Sequence, residues 1–299
     1  MRIGIDLGGT KIEGIVMAAD SRVLHRERVA TPRGHYAGTL EALSALVSKL
    51  EAAVGATALP VGIGTPGAVS RGTGRMKNCN STCLNDRPFP QDMAARLGRE
   101  VRVANDADCL ALSEARDGAA AGAATVFGVI LGTGVGGGIA VRGELLSGPN
   151  AIAGEWGHNP LPAPRDAERP GPRCYCGRSG CIETWLSGPG LSADHERYCG
   201  VLLPAAEIAA RAEAGEGACV ASLARYEERL ARALATVVNL LDPEVIVLGG
   251  GVSRIARLYE QVPLRWTPHV FSDRVDTRLV PAQHGDSSGV RGAAWLWPA

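Results

Sequence analysis

Short apolar runs that end in glycine punctuate this chain, and they predict strands followed by tight turns. The first, Arg2 to Leu7, meets Gly8-Gly9-Thr10-Lys11 and returns through Ile12 to Met17, the pattern of a β-hairpin. Leu40, Leu43, Leu46, Val47, Leu50 and Val54 then recur at helical spacing, with Gly55 as the stop. Val61 to Gly64 predicts a strand ending in Thr65-Pro66-Gly67. Val101 to Ala104 predicts another ending in Asn105-Asp106, with a helix from about Ala107 toward Ala121.

At Thr125 the pattern restarts. Val126 to Leu131 predicts a strand, Gly132-Thr133-Gly134 a turn, and Gly138 to Val141 the return. Two similar hairpins suggest a weak internal duplication, two copies of one α/β unit facing each other across a cleft; two unrelated hairpins are the alternative. Leu161 to Pro172, rich in proline, arginine and acidic residues, predicts an exposed loop. Leu223, Tyr226, Leu230, Leu234, Val237 and Leu241 line one face of a long helix that Asp242-Pro243 ends. Val245 to Leu248 predicts a buried strand leading into Gly249-Gly250-Gly251, and a last helix runs from about Val290 to Trp297.

Composition narrows the function classes. Among 299 residues, 31 Lys and Arg balance 31 Asp and Glu, so no whole-molecule charge draws the chain to nucleic acid or to an anionic membrane. No apolar run reaches membrane-spanning length, and Met1-Arg2-Ile3 opens directly on a strand rather than a leader. These features predict a cytoplasmic protein with no membrane or nucleic-acid partner. Its eight cysteines should then be reduced, and a tight cysteine cluster reads as a metal site.

Three glycine loops carry the first candidate chemistry. In Asp6-Leu7-Gly8-Gly9-Thr10-Lys11, Gly8 and Gly9 let backbone N–H groups approach phosphate oxygens, Thr10 adds a hydroxyl and Lys11 a positive charge. Asp6, at the strand end, could hold Mg²⁺ through water. Gly132-Thr133-Gly134 is a second loop of this kind, and Gly249, Gly250 and Gly251 could pack beneath a flat adenine. None matches the Walker or Rossmann patterns.

Cys174, Cys176 and Cys181 place three thiols in eight residues, with His158 a short loop upstream, a Cys₃His set suited to tetrahedral zinc. Four protein ligands leave no open position, so the zinc reads as structural, holding the loop around Glu155 and Glu183. Cys79, Cys83, Cys109, Cys199 and Cys219 are scattered. Asp106 ends a strand, where open α/β sheets carry ligands, and a carboxylate there can take the proton of an attacking hydroxyl. Asn105, Glu155 and Glu183 are candidates to bind neighbouring sugar hydroxyls.

Together these residues resemble the ROK family (repressors, open reading frames and kinases), a branch of the actin-like ATPase-fold sugar kinases. The likeness covers essentially the whole chain. Asp6 to Lys11 looks like its first phosphate motif, Leu131 to Gly138 like its second and Gly249 to Gly251 like its adenosine motif. Glu155-x-x-His158 and Cys174-x-Cys176-Gly-x-x-Gly-Cys181-x-Glu183 match its two signature stretches.

The resemblance implies an α/β, ribonuclease H-like fold of two domains around a cleft with a zinc loop. The domains are 1–118, rejoined by a C-terminal helix 287–299, and 119–286. It implies Mg-ATP and a hexose as substrates, structural zinc and a homodimer. Asp106 becomes the catalytic base, Asn105, Glu155, His158 and Glu183 sugar contacts, with Gly67 and Asn80 lining the same pocket. His158 would then serve both zinc and sugar. Lys77 to Thr82, Gly154 to Leu161 and His284 to Trp295 are similar to bacterial fructokinases of the mannofructokinase type. The implied reaction is ATP plus D-fructose to fructose 6-phosphate and ADP. Mannose, glucose or an N-acetylhexosamine is the alternative substrate. A sugar-responsive repressor or a non-catalytic sugar sensor would be a different class. Cys79, Cys83 and the 165–172 loop acquire no role.

Overall fold

The structure is a computed structural model that describes residues 1–298; Ala299, the last residue of the expected 287–299 helix, lies outside them. In chain order the first elements are β1 (Arg2–Leu7), β2 (Lys11–Met17), β3 (Val23–Ala30), α1 (Tyr36–Ala53), β4 (Val61–Thr65), the short pair β5 (Ala68–Val69) and β6 (Met76–Lys77), α2 (Phe89–Leu97), β7 (Val101–Asn105) and α3 (Asp106–Asp117). There follow β8 (Thr125–Leu131), β9 (Val135–Val141), β10 (Glu144–Leu145), α4 (Glu183–Leu186), α5 (Gly188–Cys199), α6 (Ala205–Glu213) and α7 (Gly217–Leu241). The last are β11 (Val245–Gly249), α8 (Leu258–Trp266), β12 (Arg278–Pro281) and α9 (Ser288–Trp295).

The chain divides into two compact units. The first holds Met1–Gly122, Gly138–Ala153 and the segment from Asp286 onward; the second holds Ala123–Gly137 and Gly154–Gly285. The C-terminal helix and the 138–153 segment both belong to the first unit; the sequence reading groups 287–299 with 1–118 and puts 138–153 in 119–286.

In the first unit a five-stranded sheet has the order β3-β2-β1-β4-β7. β1 and β2 form the expected antiparallel hairpin, and β1, β4 and β7 run parallel. The apolar face of α1, with Leu43, Leu46 and Leu50 fully buried, covers Ile3, Ile5, Val61 and Ile63. β3 carries His25, Arg26, Glu27 and Arg28 in its middle and lacks the apolar alternation that marks a strand, so periodicity passes over it.

Helix α9 lies hard against β1 and β4. A side chain on Gly62 would run into the Ala293 carbonyl and one on Gly4 into the Val290 carbonyl, so only glycine lets the helix backbone come this close. Ser288 Oγ donates to the fully buried Glu114 at 2.8 Å, and Arg291 pairs with Asp117. These contacts explain why distant ends of the chain share one unit.

The second five-stranded sheet has the order β10-β9-β8-β11-β12, with the unit boundary falling inside β9. β8, β11 and β12 run parallel, and β11 (Val245, Ile246, Val247, Leu248) is fully buried. The long α7 buries Leu223, Tyr226, Leu230, Leu234 and Val237 as its helical spacing predicts, while Leu241, expected on the same face, is only half-buried at the helix end. Gly249-Gly250-Gly251 leads into a single 3₁₀ turn, Val252–Arg254.

The 161–172 stretch is largely exposed or half-exposed, as the sequence reading has it, but departs from that reading at Glu168. Its 3₁₀ turn Asp166–Glu168 buries Glu168, which accepts from Arg229 Nε at 2.7 Å and from Arg232 Nη2 at 2.9 Å to each oxygen. Arg229 also donates to the buried Asp194 at 2.7 Å. No helix among the described residues is long and apolar enough to cross a membrane.

Candidate active site

In the first unit, the Gly8-Gly9-Thr10-Lys11 loop is the β1–β2 turn. The Gly8 N–H closes it on the Lys11 carbonyl at 3.1 Å, and Thr31, which sequence reasoning passes over, braces it through Oγ1 to the Gly8 carbonyl at 2.7 Å. Gly9, Thr10 and Lys11 remain exposed, a donor-rich turn open to an anion. Asp6 stands beside this turn. Burial, reinforced by the negative charges of Asp106 and Glu13 and opposed by Lys11, pushes its carboxyl up to about 7. Two carboxylates in one partly buried place disfavour each other's charge, and a cation between them relieves that repulsion.

Asn105 and Asp106 sit where β7 becomes α3. Asn105 is the N-cap: its Oδ1 accepts the Ala107 N–H at 2.8 Å. Asp106 is the first helical residue, and its Oδ1 accepts the same N–H at 2.8 Å, at the positive end of a 12-residue helix. The cap occupies the Asn105 carbonyl oxygen and leaves its NH₂ to donate elsewhere. Asn80 N–H reaches the Pro66 carbonyl at 3.4 Å, which brings Gly67 and Asn80 together near the end of β4.

In the second unit, Gly132-Thr133-Gly134 turns β8 into β9, with Gly132 N–H on the Gly134 carbonyl at 3.0 Å. A cavity of about 610 Å³ opens beside it, lined by Gly132, Thr133, Gly251, Ala206, Ala209 and Arg254 among others. The second and third glycine loops therefore share one cavity. Its small-residue wall from α6 escapes sequence reasoning, because alanines at helical spacing look the same on any helix face.

Glu155 precedes the 3₁₀ turn Trp156–His158. That turn is wedged by Trp156, whose ring meets Phe127 edge-on at 5.6 Å and whose Nε1 reaches the Gly136 carbonyl at 3.4 Å. Glu183 opens α4, and its Oε2 accepts the Val135 N–H at 2.9 Å.

His158, Cys174, Cys176 and Cys181 come together, their ligand atoms all within 4.8 Å of one another. Cys174 Sγ is 3.6 Å from His158 Nδ1, and Cys176 Sγ is 3.6 Å from Cys181 Sγ. Tetrahedral zinc with S and N ligands spaces such atoms roughly 3.5–3.8 Å apart, so the donor set fits the ion. The Arg178 backbone N–H holds the Cys176 thiol down at about 6, ready as a thiolate, while burial pushes Cys181 up to about 12. His158 Nε2 lies 3.0 Å from Tyr175 Oη, so that nitrogen already has a partner. With zinc bound, the four side chains would lock the segment between His158 and Glu183. Cys176→Ser is expected to abolish stoichiometric zinc in metal analysis and to lower the thermal midpoint; full zinc retention would count against this ligand set.

Comparison with known proteins accounts for this combination. The model of the ROK family matches residues 2–299. The chain is 41% identical over 302 residues to N-acetyl-D-glucosamine kinase of Vibrio cholerae, covering 99% of both chains. It is 39% identical over 300 residues to the enzyme of that name from Yersinia enterocolitica, again covering 99% of both. Among solved structures it is similar to a ROK hexokinase from Thermus thermophilus (TM-score 0.87, 30% identity, 98% of this chain and 96% of that one). It is also similar to a ROK glucokinase from Streptomyces griseus in complex with glucose and AMPPNP (TM-score 0.81, 28% identity, 99% and 98%). With glycine turns, strand-end carboxylates and a Cys₃His cluster spread over the length that the family model spans, this chain belongs to the ROK family and has its actin-like ATPase fold.

Proposed function

We propose that this ROK-family sugar kinase transfers the γ-phosphoryl group of Mg-ATP to the 6-hydroxyl of N-acetyl-D-glucosamine, giving the sugar 6-phosphate and ADP. The observation that carries the choice of sugar is the 41% identity, across 99% of both chains, to a kinase named for that sugar. Fructose, read from three local stretches, gives way to the N-acetylhexosamine alternative, because the likeness to the N-acetyl-D-glucosamine kinases runs the length of the chain.

Asp106 takes the proton of the 6-hydroxyl as its oxygen bonds to the γ-phosphorus and the bond to the β-phosphate oxygen breaks. It stands on the first turn of α3, at the positive end of the helix, where a carboxylate is favourably placed. Asn105, Glu155 and Glu183 bind sugar hydroxyls, and Gly67 and Asn80 are further sugar contacts. His158 contacts the sugar only when Nε2 exchanges Tyr175 for it. Gly8, Gly9, Thr10 and Lys11 bind phosphate oxygens, as do Gly132, Thr133 and Gly134. Asp6 holds Mg²⁺ through water, and Gly249, Gly250 and Gly251 flank the adenosine. His158, Cys174, Cys176 and Cys181 hold structural zinc.

The test is ADP release by the zinc-loaded protein with Mg-ATP and a panel of N-acetylglucosamine, N-acetylmannosamine, glucose, mannose and fructose. We expect kcat/KM for N-acetylglucosamine to exceed that for fructose by about tenfold or more. A preference for fructose would restore the fructokinase reading. The absence of turnover with every sugar would overturn the kinase reading in favour of sugar sensing.

A further inference from the structure

Glu183 does something that a sugar contact does not require. Its Oε2 is committed to the Val135 N–H at 2.9 Å, at the residue that leaves the Gly132–Gly134 turn. Gly134 makes room for this bond, since a side-chain carbon there would lie 2.6 Å from the same oxygen. Five residues past Glu183, the Gly188 N–H donates to the Gly132 carbonyl at 2.8 Å. The segment Glu183 to Gly188 therefore grips the turn at both ends. It starts two residues after Cys181, a member of the Cys₃His cluster. At its far end, Gly188 lines the 610 Å³ cavity together with Gly132, Thr133 and Gly251.

We propose that Glu183 is a positioning residue for the nucleotide, holding the Gly132–Gly134 turn in its phosphate-binding shape through the Val135 N–H. One carboxylate then serves the sugar with one oxygen and the phosphate turn with the other, and the zinc cluster braces both through Cys181. The inference rests on the reading of this cavity as the nucleotide site.

The experiment is calorimetric binding of Mg-AMPPNP to the full-length, zinc-loaded protein without sugar. Glu183→Ala removes a charge-assisted hydrogen bond to a backbone N–H and is expected to weaken Mg-AMPPNP about tenfold or more. Glu183→Gln keeps a carbonyl oxygen that accepts the same N–H. It is expected to bind Mg-AMPPNP within about threefold of wild type while still losing sugar affinity. Gly134→Ala leaves Glu183 intact but pushes its carboxylate off Val135, and should reproduce the alanine loss; it serves as the second route if Glu183→Ala does not fold.

Equal Mg-AMPPNP affinity in wild type, Glu183→Ala and Gly134→Ala would overturn the positioning role and leave the kinase reading untouched. A glutamine variant as weak as alanine would also overturn it, because the effect would then follow charge rather than the hydrogen bond. Failure of wild type to bind Mg-AMPPNP would overturn both this role and the nucleotide assignment.

Discussion

Asp106→Asn is expected to lower turnover by about 10²–10⁴-fold, the range typical of losing a general base. The substitution also removes the negative charge that helps to push the Asp6 carboxyl up, but it leaves the helix cap in place. Asparagine has the shape of aspartate and keeps an oxygen for the Ala107 N–H, and Asn105 caps α3 through that same N–H. The helix start and the fold should persist, so thermal midpoint and zinc content should match wild type. The lost capacity is proton acceptance, since an amide is far too weak a base to take the hydroxyl proton as the new P–O bond forms. Sugar binding, measured by calorimetry, should be partly retained, with the loss falling mainly on kcat. Steady-state ADP release is the check. Turnover within about twofold of wild type would show that another group acts as base.

The second large effect concerns stability. Glu168→Ala is expected to destabilise the protein by about 3–5 kcal/mol in urea unfolding, the cost of breaking a buried ion pair from one side. Side-chain exposures of 6% for Glu168, 4% for Arg229 and 3% for Arg232 leave almost no water to replace the lost carboxylate. Arg229 would keep Asp194, but Arg232 would retain only the carbonyls of Pro162 and Ala163 and a marginal 4.0 Å approach to Glu228.

The pH dependence follows from the same contacts. Burial pushes the Glu168 carboxyl up, but hydrogen bonds from Arg229, from the Arg165 backbone and from Arg232 outweigh it, so the net shift is downward. A carboxyl held below its unfolded value stabilises the fold above that value, about 4.3 for glutamate, and stops doing so as pH falls through the folded value. The gap between wild type and Glu168→Gln should therefore be full at pH 7 and shrink below about pH 4. A loss under about 1 kcal/mol for Glu168→Ala would mean that the network does not anchor this loop.

Glu168 also marks a limit of reading by composition. Its neighbourhood is proline, arginine and acid, which signals a solvated loop. Only the fold reveals that three arginines of α7, Arg225, Arg229 and Arg232, turn inward to meet Glu168 and Asp194. Helical spacing found the apolar face of that helix but gives no sign for a buried cation, because burial of charge depends on partners remote in sequence. β3 was illegible for a related reason: a charged edge strand needs no apolar alternation. The likeness to fructokinases rested on three short stretches, and short stretches around shared catalytic residues say more about chemistry than about which sugar is held.

Much of the candidate site was nevertheless local. A glycine turn after an apolar strand, a carboxylate at a strand end and three thiols in eight residues are each set by neighbours in sequence, because the backbone turn and the ligand spacing are short-range properties. The β1–β2 hairpin, the face of α7 and the Cys₃His grouping follow from the sequence alone on that ground. Tertiary structure alone decided that the Gly132 and Gly251 loops border one cavity. It alone decided that Glu183 grips the turn before Val135, and that Gly4 and Gly62 admit the last helix onto the first sheet. Each of these joins residues tens to hundreds of positions apart, and close packing, rather than any local preference of the backbone, determines which distant groups share a contact.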